Sequence, residues 1–224
     1  MKGTIDCISI GCIKKCIFTI MIETLLSFVF ATSILAISPG PDNIFVLTQS
    51  IVNGKKFGLA TVFGLISGCL VHTTLLAFGV SVIIKESESL FFIIKLFGSI
   101  YLLYLAFKVY KSDASIVLSK DNLERKTTTE LFKQGFIMNV LNPKVSIFFL
   151  AFFPGFLFSD DISTVIQFYI LGILFMFVSL IIFSGIAILA GVISEKIKGN
   201  KNIGLYLKWT QMVVFVFIAV FILV

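Results

Sequence analysis

Uncharged stretches of membrane-spanning length, separated by short charged turns, set the plan of this chain. Residues 24–41 carry no charge, and neither do residues 43–54. Six apolar segments follow one another, at about 24–49, 57–84, 90–107, 131–158, 164–193 and 203–224. Each is long enough to cross a bilayer as a helix, which takes roughly 20 residues. The apolar runs are continuous, whereas barrel strands alternate between apolar and polar. The pattern predicts an all-α polytopic membrane protein with six transmembrane helices. A polar stretch divides it: residues 21–112 form a first three-helix half, 113–130 a cytoplasmic loop and 131–224 a second three-helix half. Residues 1–20 stand apart as an N-terminal extension, read either as a signal-like segment or as sequence preceding a start at Met21.

Two of the segments are interrupted. Ser38-Pro39-Gly40-Pro41-Asp42-Asn43 lies inside the first, and Asn142-Pro143-Lys144 inside the fourth. A proline lacks the backbone N–H and crowds the preceding turn, so Pro39, Pro41 and Pro143 predict breaks in helices 1 and 4. Within hydrocarbon the carbonyls freed by a break find no water. Irregular backbone there is tolerated only where protein or a cavity surrounds it. Both interrupted segments open a three-span group. Broken helices at corresponding positions of two halves point to two inverted three-helix repeats, with a transport site between them.

The chain has 224 residues, of which 58% are hydrophobic, and it contains 26 Phe. That is well above the apolar share of a soluble domain. The net charge of +6 is explained by loops and not by nucleic acid. Counting Lys and Arg on alternate loops gives twelve on the face of loops 1–2, 3–4 and 5–6. The opposite face holds Lys85 alone, or four such residues if the first twenty are included. Positive charge collects on the cytoplasmic side, so both termini are expected outside. The four cysteines form no CxxC pair, and no metal site or cofactor is predicted.

Charge inside an apolar run is costly, by roughly 2.5–3.5 kcal/mol on insertion scales, and marks ion or substrate paths. Asp42 and Lys144 are the two charges at the breaks, at similar depths from the cytoplasmic ends of their segments. They are expected to meet across the two halves, with Gly40, Asn43 and Asn142 beside them. The blander reading makes Asp42 a cap for a helix beginning at Asn43 and Lys144 a structural counter-ion. His72, which continues the Gly64–Gly68 face, is either a proton relay or a buried histidine bonded to a hydroxyl. Lys95 is a further candidate, or a lysine reaching the outer interface.

With these residues laid out, the chain resembles the LysE/RhtB family of amino-acid exporters. The matching stretches are Ser38-Pro39-Gly40-Pro41-Asp42-Asn43, Gly54-x-x-x-Gly58 and Gly64-x-x-x-Gly68 with His72. Lys95-x-x-Gly98-x-x-Tyr101-Leu102, Gly135 with Asn139, Asn142-Pro143-Lys144 and Pro154 follow in order. The resemblance implies efflux of amino acids or similar small metabolites across a bacterial inner membrane. The driving force would be the membrane gradient of protons. Expected partners are the small-molecule substrate, the lipid bilayer and a further copy of the chain in a homo-oligomer, with no nucleic acid. Alternatives are heavy-metal export, as in the related cadmium-resistance branch, and a non-transporting membrane subunit. An intramembrane protease is disfavoured: Ser38 precedes a proline, no HExxH occurs, and the spans hold one aspartate.

Overall fold

The computed structural model describes residues 10–38, 40–112, 126–159, 161–199 and 202–223. Helices and short connections account for all of them. In chain order they are α1 (Ile10–Ile37), α2 (Pro41–Asn53) and α3 (Lys55–Leu75). A π turn (Leu76–Val80) joins α3 to α4 (Ser81–Glu86), and α5 spans Glu88–Lys111. The second half holds α6 (Thr128–Val140), α7 (Pro143–Phe152) with a 3-10 turn (Phe153–Phe156), α8 (Thr164–Ile188), α9 (Ala190–Gly199) and α10 (Ile203–Leu223).

Among the described residues, five helices are long and apolar enough to cross a membrane: Thr19–Ile37, Lys55–Ile84, Ser89–Lys111, Thr164–Ile188 and Gly204–Leu223. The pair Thr128–Val140 and Pro143–Phe156, bent by 51°, makes a sixth if it is one broken span. The protein is therefore an all-α, multi-pass membrane protein. Two boundaries differ from expectation. The first apolar span lies wholly in α1, ahead of the break, and α2 is a separate 13-residue helix. Residues 10–20 are helical and continuous with α1, while residues 1–9 lie outside the described residues. The fifth segment stops at Ile188, because Leu189 leaves helical geometry before α9 begins. The predicted loop 113–130 is described only from Lys126 onward. There Thr127 and Glu130 form a reciprocal capping box that starts α6.

Helix packing explains the small residues. The α3–α6 contact is the most extensive among the described residues. A side chain at Gly64 would overlap the carbonyl of Phe132, and one at Gly135 would sit 2.5 Å from the carbonyl of Thr61. Gly68 lies against Asn139 in the same way. Without side chains at these positions the two backbones approach closely, which is how membrane helices associate where burial of apolar surface gives no advantage over lipid.

Phenylalanines fill the other side. On α7 and its 3-10 turn, Phe148, Phe149, Phe152, Phe153 and Phe156 are all buried, and they meet Phe28 of α1 and Phe175 of α8. The Phe148–Phe152 and Phe149–Phe153 rings stand 4.4 and 4.1 Å apart. Helix α5 is held on two fronts. Gly98 admits Ala151 of α7, and Ser99 Oγ donates 2.8 Å to the carbonyl of Ala219 in α10. After the bent helix, the turn before α8 is held by one buried side chain. Gln167 Oε1 accepts from the N–H groups of Phe158 and Ser159, and its Nε2 donates to the carbonyls of Ser159 and Ile162.

Candidate functional site

Both breaks have one register. In the first, Gly40 is the N-cap, Pro41 the first helical residue and Asp42 the second. In the second, Asn142 is the N-cap, Pro143 the first helical residue and Lys144 the second. Proline suits that first position because the N–H it lacks would have no partner there. It also forces the residue before it into extended geometry, and Gly40 and Asn142 are both extended. Pro39 lies outside the described residues.

The charges at the matching positions are opposite. A carboxylate in the first turn of a helix is favoured by the helix dipole, and a cation there is disfavoured, each by about 0.3–1 kcal/mol. Asp42 therefore suits its place, and Lys144 stands where local helix energetics argue against it. The expectation that Asp42 caps its own helix is corrected. The helix begins at Pro41, Gly40 is the cap, and Asp42 makes no capping bond. Instead Asn142 Nδ2 donates 2.9 Å to Asp42 Oδ2, joining the two breaks across 100 residues of chain. Asn142 Oδ1 meanwhile accepts from the backbone N–H of Lys144 at 3.0 Å, so one side chain caps α7 and holds the carboxylate of the other break. The second carboxylate oxygen, Asp42 Oδ1, is buried with no hydrogen-bond partner among the described residues. The hydroxyl of Ser38 in the same break is likewise buried and unpartnered among them.

Lys144 does not bond to Asp42. Its Nζ stands 4.9 Å from the ring centroid of Phe215 in α10. A methyl group added at Gly40 would lie 3.3 Å from that Nζ. Gly40 thus leaves the ammonium room, while its extended backbone is open to any residue. A desolvated ammonium over an aromatic face gains about 2 kcal/mol. The two charges thus share one region without closing into a direct ion pair.

Side chains serve several of the freed carbonyls. Asn43 Nδ2 reaches back to the carbonyls of Ala36, Ile37 and Ser38 at 2.9, 3.5 and 3.3 Å. At the second break His72 Nε2 lies 3.1 Å from the carbonyl of Asn139, an acceptor only, so that nitrogen carries the proton. This corrects the reading of His72 as bonded to a hydroxyl. Cys69, one turn earlier on α3, adds a long contact of 3.7 Å to Asn139 Oδ1. Lys95 is not drawn into the cluster; its Nζ stands 5.9 Å from the ring of Phe91, one turn earlier on α5. Of the predicted residues, Gly40, Pro41, Asp42, Asn142, Pro143 and Lys144 converge, with Asn43 and His72 supporting the two ends. Sequence reasoning missed Phe215, one of 26 Phe, which carries no distinguishing signal. It also missed Gln167, whose position one turn inside an apolar helix was a usable one.

A multi-pass helical membrane protein with broken helices converging on opposite, half-buried charges has the architecture of a transporter. The chain belongs to the family described as LysE type translocator, whose profile matches residues 33–224. It is similar to the homoserine/homoserine lactone efflux protein of Salmonella typhimurium, with 30% identity over 176 residues, covering 79% of this chain and 84% of that protein. The protein of the same description from Salmonella typhi is similar to the same extent. No solved structure matches.

Proposed function

We propose that the protein exports amino acids or closely related small metabolites, homoserine among them, and that inward proton movement drives the export. The observation that carries this reading is the hydrogen bond from Asn142 to Asp42 beside an unpartnered carboxylate oxygen and an ammonium held on a ring face. Those two groups suit a zwitterion. The substrate carboxylate binds Lys144 and its ammonium binds Asp42 Oδ1. Asn142 fixes the carboxylate, while Asn43 and His72 keep the broken backbone in shape. A proton arriving from outside then neutralises Asp42 and releases the ammonium outward. The efflux activity stated for the Salmonella proteins supports the substrate class. The Lys/Arg asymmetry supports a bacterial cytoplasmic membrane location with both termini outside. The shared register of the two breaks supports two inverted three-helix halves.

The test is uptake of labelled L-homoserine into inverted membrane vesicles. Uptake that depends on the protein and collapses with an uncoupler is expected. Uptake that persists after the uncoupler would reject proton coupling, and absence of uptake would reject the substrate.

A further inference from the structure

We infer that Phe215 is a positioning residue that holds the Lys144 ammonium away from Asp42. By keeping the two charges apart, it creates the gap that a zwitterion occupies. The substrate class rests on the proposed function above; the role of the ring rests on geometry.

Lys144 and Asp42 occupy equivalent positions at facing breaks, and in an apolar setting opposite charges draw together unless something competes. Two things compete. Asn142 takes Asp42 Oδ2 and turns the carboxylate toward itself. The face of Phe215, 4.9 Å from Nζ, takes the ammonium. The ring is well placed for this because it cannot move. Phe215 is 1% exposed, and the bond from Ser99 to Ala219, one turn along α10, anchors the helix that carries it. Gly40, next to the ammonium, contributes no side chain, and in the same region Asp42 Oδ1 has no partner among the described residues. A direct ion pair would have to be broken by each incoming substrate. A ring face gives up the ammonium more easily, because a substrate carboxylate is the stronger partner. A ligand carrying only a positive or only a negative charge would leave one of the two groups unmatched, so the arrangement favours molecules with both.

The experiment replaces Phe215 with 3,4,5-trifluorophenylalanine by amber suppression. This keeps shape and packing while removing most of the negative charge of the ring face. Two readouts are taken on the full-length protein: labelled L-homoserine transport in proteoliposomes, and thermal stability in detergent. Fluorination is expected to raise KM about tenfold with kcat changed by less than about threefold, because Lys144 falls back onto Asp42 and competes with substrate. It is also expected to lower Tm more in an Asp42→Asn background than in the native one, where Asp42 is there to receive the ammonium. Phe215→Trp, which offers a stronger cation-binding face, should keep KM near the native value. If fluorination leaves KM unchanged and shifts Tm equally in both backgrounds, Phe215 only packs and the inference is overturned. If the native protein moves no L-homoserine, that substrate reading fails, and the stability coupling alone decides the role of Phe215: its presence supports the inference and its absence overturns it.

Discussion

At the first break the third residue of the new helix is Asn43; at the second it is Val145. The two breaks otherwise run in parallel: cap, proline, charge. Asn43 can reach back and satisfy the carbonyls at the end of α1 from within its own broken pair. Val145 has no polar group; the end of α6 is closed by the backbone N–H groups of Leu141 and Asn142, and His72 of α3 brings a further donor to the Asn139 carbonyl from another helix. The carbonyls of the first break are thus served from within it. The second depends on where α3 lies, and α3 is set against α6 by Gly64, Gly68 and Gly135. The geometry around Lys144 is therefore exposed to changes a full helix away, whereas Asp42 answers to its own six residues and, through one bond, to Asn142 of the other break.

The sharpest way to break this contrast is Gly64→Ala, which puts a methyl group into the Phe132 backbone. Backbone cannot move aside, so a loss of about 3 kcal/mol or more is expected, read as a collapse of monodisperse protein in detergent. A well-folded, active Gly64→Ala protein would show that the second break does not depend on this contact. Next in size are the charges. Asp42→Asn should keep the fold yet reduce the proposed proton-driven export, read with L-homoserine in inverted vesicles, about 100-fold or more. Lys144→Met should destabilise by about 2 kcal/mol, the scale of a desolvated ammonium over a ring. That is below the roughly 3–5 kcal/mol seen when one member of a direct buried ion pair is removed. A melting shift on the larger scale would indicate that Lys144 pairs with Asp42 after all.

The two caps come third. Asn43→Ala removes the donor serving three carbonyls and should cost about 1–3 kcal/mol. His72→Gln, which retains a donor, should cost under about 1 kcal/mol and leave the pH profile of export unaltered. Altered proton coupling in His72→Gln would make the histidine a relay instead of a cap. The smallest effect is expected for Gly40→Ala. Its methyl would meet only the flexible end of Lys144 at 3.3 Å, so stability should move by about 0.5 kcal/mol while KM rises. A stability loss as large as that of Gly64→Ala would mean the first break is no more tolerant than the second.

Much of this is legible in the sequence. Pro41 and Pro143 announce the breaks, because a proline cannot continue the helix that an uncharged run of this length otherwise forms. Asp42 and Lys144 stand out because buried charge is rare. Asn142 can be read as a helix cap from its place before proline. Its second bond, to Asp42, cannot, because that depends on how α2 and α7 approach. Phe215 is hidden for a compositional reason: a ring that holds a cation looks, in sequence, like every ring that fills space. His72 is conspicuous, but its partner is a backbone carbonyl, and every residue has one. The separation of α1 from α2 escapes a hydropathy reading because apolarity runs unbroken across residues that geometry divides.

The interlock between the halves has a consequence for biogenesis. Helix α3 finds its largest partner in α6, α5 finds its own in α10, and α1 packs chiefly on α8. During synthesis the first three spans therefore enter the bilayer before their main partners exist, and α5 waits for the last helix to be made. The nascent first half has to be held by lipid or by the insertion machinery throughout that interval. A chain cut between residues 112 and 126 and expressed as two pieces should still assemble, since the pieces meet through interfaces that form after insertion in any case.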